Sequence, residues 1–209
     1  MPSSGMAVHD DVGYFLYWLK KQSYDPDVIE RDLANITKMG FNAVSMYLHP
    51  QSLDGQNLLD FLRRLKVFGL RANLFIQVCD NLNMTVDESY YWRDIINKYK
   101  LPDNDTLFAY DISWEGRFNS HEGRKLWDGQ WENWIVDRYG SLENAKRDWN
   151  FSVYRENSKV TNPPDSYLFK NGPWWRETAA YRKFLDSLLF TNYNQYVGMV
   201  KNVDPNHLV

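Results

Sequence analysis

A single glutamate, Glu115, ends a short apolar segment and is the first candidate for chemistry in the sequence. The stretch "TLFAYDISWEGRF" (106–118) reads as a β-strand that stops at this acid, with Trp114 just before it. Because side chains of a strand alternate between two faces, the glutamate shares a face with the small and polar residues Leu107, Ala109, Asp111 and Ser113. Such a face is typical of the inside of a closed parallel barrel, whose chemistry lies at the carboxyl ends of its strands. The pattern predicts a catalytic carboxyl group, and it equally fits an acid that pairs with Arg117 or Arg124.

Polar and aromatic residues also follow the two preceding predicted strands. "FNAVSMYLH" ends in Tyr47 and His49, and "LRANLFIQVCD" ends in Gln77 and Asp80. Carboxyl ends of parallel strands meet at one edge of a sheet, so we expect these four residues and Trp114 to border the same cavity as Glu115 and to contact a substrate.

A metal site is the alternative use of this edge. His49, Asp80, Glu115 and His121 offer metal-ligating groups, but no HxH or HExxH spacing supports such a site. We therefore expect no metal and no cofactor.

The elements that position these residues alternate between helix and strand. Helices are predicted over Asp25–Met39, 56–69 and Ser89–Tyr99, the first with Asp25 as N-cap and Gly40 at its end. With Tyr14–Leu19 as a first strand, four strands fall between about 14 and 115, at the spacing of βαβ units in a parallel sheet.

The second half of the chain reads differently. A helical extension is predicted over 116–203, broken by a loop at Thr161–Pro173, and 206–209 reads as the start of a fifth strand. Aromatic residues make up 16% of the chain, and aromatic rings can pack on the apolar faces of sugars. Helical spacing assigns Trp127, Trp131 and Trp134 to a core, whereas Trp174 and Trp175, next to the loop, are predicted to contact a sugar.

Composition excludes several kinds of partner. The formal net charge is −3 and no basic cluster occurs, which argues against a nucleic acid. No apolar run approaches the roughly 20 residues of a membrane helix, and the start lacks the apolar region of a signal peptide. We expect a soluble chain without a membrane partner. The single cysteine, Cys79, leaves the compartment open.

Two segments resemble glycoside hydrolases of clan A. "MGFNAVSMYLH" with "DGQNLLDFLRRLKVFGLRANLFI" is similar to strands two and three of that clan, with features of family 35 β-galactosidases. "WENWIVDRYGSLENAKRDWNF" resembles the segment after strand four in family 42 β-galactosidases. The resemblance implies a (β/α)8 TIM-barrel fold, of which 1–209 is the N-terminal portion and about the first half.

The same resemblance implies a function. The acid/base glutamate of the clan ends strand four, which corresponds to Glu115, and it would serve a retaining glycosidase acting on a carbohydrate. Three features depart from the clan: Trp114 stands where Asn is usual, Ser45 where many members have Arg, and the nucleophile strand is absent. Asp111 cannot replace that nucleophile, because four residues of strand span about 13 Å and retaining carboxylates lie about 5–5.5 Å apart.

Two alternatives stay open. The chain is either part of a glycoside hydrolase, inactive by itself, or a carbohydrate-binding or assembly fragment without catalysis. If the half-barrel is the whole chain, we expect a homodimer that pairs the exposed sheet edges.

Overall fold

The computed structural model describes residues 19–20, 23–48, 53–76, 90–113 and 119–209. The chain divides into two compact units, which we treat separately. The sheet unit comprises Met1–Gly116 and Gln195–Val209, and the helical unit comprises Arg117–Asn194. Most of the strand predicted over Tyr14–Leu19 lies outside the described residues; Leu19 itself is in a turn.

A parallel three-stranded sheet forms the centre of the sheet unit. Its strands are β1 (Ala43–Tyr47), β2 (Arg71–Phe75) and β3 (Leu107–Asp111), in the order β1-β2-β3. The helices between and before them are α1 (Pro26–Lys38), α2 (Gly55–Val67) and α3 (Tyr90–Lys98), with a 3-10 turn at Leu101–Asp103. The predicted alternation of helices and parallel strands is confirmed over these residues.

Local sequence explains where the first two helices begin and end. The Asp25 carboxylate accepts hydrogen bonds from the backbone N–H groups at the start of α1, and Asp54 does the same for α2. Gly40 and Gly69 follow the two helices with φ of +86° and +69°, a left-handed conformation that favours glycine.

The two faces of the sheet differ in composition and burial. Met46, Leu74 and Tyr110 are aligned across the three strands, and each is at most 2% exposed. On the opposite face the aligned set is Ser45, Asn73 and Ala109, of which Ser45 is exposed and the other two are half-buried. We call these the covered face and the open face.

A register shift in β3 corrects the predicted alternation of this strand. Ala72 pairs with Leu107 but Asn73 pairs with Ala109, so Phe108 is an extra residue, as in a β-bulge. Leu107 is 1% exposed and Phe108 is 36% exposed, the reverse of what strict alternation predicts. From Ala109 onward the alternation holds, because Tyr110 and Ile112 are buried while Asp111 and Ser113 are half-buried.

The last residues of the chain lie along the free edge of β3. Leu208 forms an isolated parallel bridge with Ala109, through hydrogen bonds to Phe108 O and from Tyr110 N of 3.0 and 2.9 Å. Beside it, the Tyr110 hydroxyl donates to the buried Asp204 carboxylate at 2.7 Å, and the same Asp204 oxygen is 2.7 Å from His207 Nδ1. This buried polar contact fixes the C-terminal segment against the strand.

The helical unit contains five helices and one small hairpin in its described residues. The helices are α4 (His121–Arg124, continued by a 3-10 turn to Trp127), α5 (Asp128–Tyr139), α6 (Leu142–Trp149), α7 (Asp165–Phe169) and α8 (Trp175–Lys201, which continues into the sheet unit). The hairpin of β4 (Arg155–Glu156) and β5 (Lys159–Val160) interrupts the predicted helical stretch. The loop predicted over Thr161–Pro173 also contains α7, so that prediction was wrong in part.

Stacked indole rings fill the core of the helical unit. Trp131 is fully buried, lies parallel to Trp149 at a centroid distance of 6.1 Å, and meets Tyr181 edge-on at 5.1 Å. Trp127 is also buried, at 6% exposure. The prediction that the tryptophans at helical spacing form core is confirmed for these two. No helix of the described chain combines the length and the apolar character needed to cross a membrane.

Candidate functional site

The carboxyl ends of the three strands are level. Tyr47, Phe75 and Asp111 are register partners and are each the last residue of their strand. Two further backbone hydrogen bonds, Leu48 N to Phe75 O at 3.0 Å and Ile76 N to Asp111 O at 2.9 Å, continue the ladder by one residue. The segments that leave these strands therefore start from one line.

Most predicted site residues come directly after this line. His49, Gln77, Asp80, Trp114 and Glu115 lie outside the described residues. Their convergence on one cavity stays a prediction.

Tyr47 is the predicted site residue that the structure describes at this edge. Its ring is half-buried and packs on Phe75, with a centroid distance of 4.9 Å and an interplanar angle of 31°. Phe75 is only 3% exposed, so the Tyr47 ring packs on a buried side chain. This contact gives the edge one aromatic side chain in a fixed position.

Trp174 and Trp175 belong to the helical unit. Trp174 is stacked on Tyr167, 4.1 Å between centroids at 9°, and its indole N–H donates to Lys170 O at 3.3 Å. Trp175 is 58% exposed, and the Arg176 guanidinium lies 5.2 Å from its ring centroid. One ring is thus held by packing and the other lies largely in solvent; their contact with a sugar stays a prediction.

Buried hydrogen bonds fix His121, which the sequence offered only as a metal ligand. The fully buried Asn162 amide donates to Asp128 Oδ1 at 3.0 Å and to His121 O at 3.2 Å. Its oxygen therefore accepts, at 2.9 Å, a hydrogen from His121 Nδ1. The other ring nitrogen, Nε2, lies 2.9 Å from Glu156 Oε1. No local sequence pattern joins residues 34 to 41 positions apart, so this network was not predicted.

Lys125 supplies the positive charge next to His121. Its ammonium group lies 2.7 Å from carboxylate oxygens of both Glu122 and Glu156. Hydrogen bonds with Lys125 and His121 lower the pKa of the Glu156 carboxyl group to about 2. Ligand atoms of His121, Glu122 and Glu156 lie within 4.8 Å of one another, but the Lys125 ammonium group already pairs with both acids. The arrangement is a surface ion-pair network.

A second titratable group was missed entirely. Glu177, in the first turn of α8, is fully buried, and its Oε1 accepts from Tyr154 N at 2.6 Å. Its other oxygen has no hydrogen-bond partner in the described part of the chain. Burial raises the pKa of this carboxyl group to about 7. The sequence "WWRETAAY" resembles an exposed helix start and gives no sign of it.

Comparison with known proteins places the fold. No family model and no curated protein sequence matches the chain. Among solved structures it is similar to the β-galactosidase from Rahnella sp. R3 (TM-score 0.60, 15% identity), covering 87% of this chain and 32% of that one. It is similar also to Gan42B, a GH42 β-galactosidase from G. stearothermophilus (TM-score 0.62, 12% identity; 88% and 33% covered), and to the β-galactosidase from Marinomonas ef1 (0.54, 9%; 88% and 35%).

These likenesses confirm, for the fold, the resemblance to family 42 that the sequence indicated. The chain spans about a third of the length of the structures that it matches. Identities of 9–15% show the fold alone. The chain combines helices with parallel strands, and its structural neighbours are TIM-barrel glycosidases.

Proposed function

We propose that the chain is the N-terminal half of a (β/α)8 glycoside hydrolase and that Glu115 is its general acid/base. The level carboxyl ends of β1, β2 and β3 carry this proposal. In parallel barrels the chemistry is built at this end of the strands, from segments that follow several of them. His49, Gln77 and Glu115 come two, two and four residues after Tyr47, Phe75 and Asp111.

The second half of β3 supports our assignment of Glu115 to the open face of the sheet. In β3, Ala109 and Asp111 are on the open face, which carries the polar residues Ser45 and Asn73 of the neighbouring strands. We infer that alternation continued beyond Asp111 would give Glu115 the same side. The register shift at Phe108 lies before this stretch and leaves it unchanged.

The proposed chemistry is hydrolysis of an O-glycosidic bond with retention. Glu115 protonates the leaving oxygen and later deprotonates the attacking water. The nucleophile belongs to a later strand, outside this chain. Tyr47, His49, Gln77, Asp80 and Trp114 contact the sugar, together with Trp174 and Trp175. Accordingly the 209-residue chain by itself has no turnover.

Glu115→Gln tests the assignment in a polypeptide that includes the rest of the barrel after Val209. We expect kcat/KM for an alkyl glycoside to fall about 10²- to 10⁴-fold, the usual contribution of general acid–base catalysis. A dinitrophenyl glycoside needs no protonation of its leaving group, so its bond cleavage should fall far less. A merely structural glutamate would affect both substrates alike.

Glu122→Gln is the matched control. This exposed glutamate lies seven residues later and pairs only with Lys125 in the described network. We expect its kinetics to equal those of the unsubstituted enzyme. Rapid hydrolysis by the 209-residue chain alone would overturn the proposal, because a second acid such as Asp80 or Glu122 would then have to be the partner.

Carbohydrate binding without catalysis is the second candidate function. The exposed ring of Trp175 beside the stacked pair Tyr167–Trp174 favours it, because solvent-exposed aromatic rings suit sugar faces. Sugar binding by the longer polypeptide with no hydrolysis under any condition would support this candidate against the first.

A further inference from the structure

The helical unit contains a cavity, and none of its described lining residues is one that we propose for catalysis. Its volume is about 480 Å³, within the roughly 300–1,000 Å³ of small-molecule sites. Its described lining comes from α4 and the two residues before it, from α7 and from the first half of α8. All of these described residues belong to the helical unit.

One wall of the cavity is apolar and includes an exposed phenyl ring. Leu168, Phe169 and Leu185 line it, and Phe169 is 83% exposed. A large aromatic side chain left in water is costly, at about 25 cal/mol per Å² of apolar surface. Inside a concave pocket, such a ring is typical of a surface that is covered by a ligand.

The polar groups of the cavity are balanced in charge. Arg124, only 2% exposed, lies on its floor and is bound to Asp165 at 2.8 Å and to three further oxygens, of Asn119, Asn162 and Pro163. At the rim, Arg182 and Asp186 lie one turn apart on α8 and are both exposed. Two positive and two negative groups leave no net field to attract a charged ligand.

Hydrogen-bonding capacity remains at the rim. Arg182 donates one N–H to Leu168 O at 2.6 Å, and the other N–H donors of its guanidinium are available to a ligand. The Asp186 carboxylate has no hydrogen bond or ion pair with any residue that the structure describes. The Asp165 side chain is 45% exposed although its charge is held by Arg124. A ligand with several neutral hydroxyl groups can use these donors and acceptors together.

We propose that this cavity binds a short neutral oligosaccharide, with one pyranose ring stacked on Phe169 and its hydroxyl groups bound by Arg182 and Asp186. A pyranose combines an apolar C–H face with a rim of hydroxyl donors and acceptors, which matches one apolar wall and a charge-balanced polar rim. The site is an accessory one and does not depend on catalysis by Glu115.

The experiment is a binding titration of the 209-residue chain with cellotriose, maltotriose and β-1,4-galactotriose. Binding is measured by saturation-transfer NMR and by calorimetry. We expect at least one of them to bind, and Phe169→Ala to weaken that binding fivefold or more. Asp186→Ala should weaken it severalfold. Phe190→Ala is the matched control, because this phenylalanine also belongs to the helical unit, is 69% exposed and does not line the cavity.

Three results would overturn the proposal. They are no binding of any trisaccharide, equal binding by the Phe169→Ala variant, and tighter binding of a uronic-acid oligosaccharide than of the neutral ones. Glu115→Gln separates this site from the catalytic proposal, since it should leave the Phe169-dependent binding unchanged. Failure of either proposal therefore leaves the other standing.

Discussion

At the scale of single residues, Glu177 is the group whose surroundings differ most from what its type suggests. It is a carboxyl group buried in an apolar core with one hydrogen bond, and burial holds its pKa at about 7 instead of the usual 4.5. Between these two values the folded chain binds a proton that the unfolded chain has lost. Stability is therefore fully present below about pH 4.5 and declines as pH rises toward 7.

Glu177→Gln should remove this dependence. The amide keeps an acceptor for Tyr154 N and carries no charge, so we expect the variant to exceed the parent chain in stability at pH 8. The gain should approach roughly 3 kcal/mol, because each tenfold change in proton affinity corresponds to about 1.4 kcal/mol, and it should shrink toward zero at pH 5. Urea unfolding from pH 5 to 8 measures it.

The exposed Glu122 provides the control, because Glu122→Gln should not reproduce the pH-dependent gain. A Glu177→Gln chain whose advantage is equal at pH 5 and pH 8 would show that the carboxyl group is not neutral in the folded protein.

Glu115 and Glu177 differ in how much the local sequence says about them. Glu115 ends an apolar run of a few residues, from which alternation predicts a strand end and a face, and this stays a prediction. The environment of Glu177 depends on its burial and on the backbone of Tyr154, 23 positions away. No short-range pattern encodes such a contact. The His121–Asn162–Asp128 network was missed for the same reason.

At the scale of elements, two helical glycines have opposite roles. Gly55 begins α2, and a Cβ added there would lie 1.8 Å from Cζ of the Tyr99 ring. Gly129, in the first turn of α5, is exposed and has nothing within 4 Å of that position. Gly55 therefore permits a close contact between helix segments, whereas Gly129 only adds flexibility to the unfolded chain.

We expect Gly55→Ala to destabilise the chain by about 1–3 kcal/mol, the usual cost of overpacking. Gly129→Ala should stabilise it by roughly 0.4–1 kcal/mol, because alanine lowers the conformational entropy of the unfolded chain. Both changes are measured by urea unfolding at one pH.

The double variant Gly55→Ala/Tyr99→Ala identifies the cause of the first effect. Removing the ring should make the added methyl group tolerable, so the two substitutions should show a favourable coupling. Additive effects would mean that Tyr99 moves aside at little cost.

Elements were predicted well where their signals are local. Asp25, Gly40 and Gly69 mark helix ends through signals within a few residues. The extra residue Phe108 was not predictable, because it depends on the pairing of β3 with β2. The sequence predicted one loop over 161–173 because Pro163 and Pro164 precede the short helix α7 and Asn171 and Gly172 follow it. The helix between these turn residues was therefore not predicted.

At the scale of the whole molecule, the open face of the sheet is less covered than is usual for a parallel sheet. Parallel sheets are normally covered on both faces, yet Ser45 in mid-strand is exposed and Asn73 and Ala109 are half-buried. We expect this face to be covered either by the rest of a barrel or by a second copy of the chain.

The isolated 209-residue chain should therefore self-associate, and Ser45→Glu should shift it toward monomer, because an unpaired charge is expensive to bury. Size-exclusion chromatography with light scattering measures the mass over a range of concentrations. Val67→Glu is the control on the helix surface, where the native side chain is 73% exposed. A parent chain that stays monomeric at every concentration would contradict the prediction and the half-barrel fold.

The bond between Tyr110 and Asp204 joins residues 94 positions apart, and the whole helical unit lies between them in the chain. A ribosome therefore delivers β3 long before it delivers the segment that lies along its edge. During that interval the edge is open to incorrect strand partners, a known hazard of unpaired strands. Folding of residues 117–194 as they emerge shortens the effective loop and lowers the entropy cost of its closure. Because residues 117–194 are synthesised before Asp204, their folding should favour the later pairing of the C-terminal segment with the edge of β3.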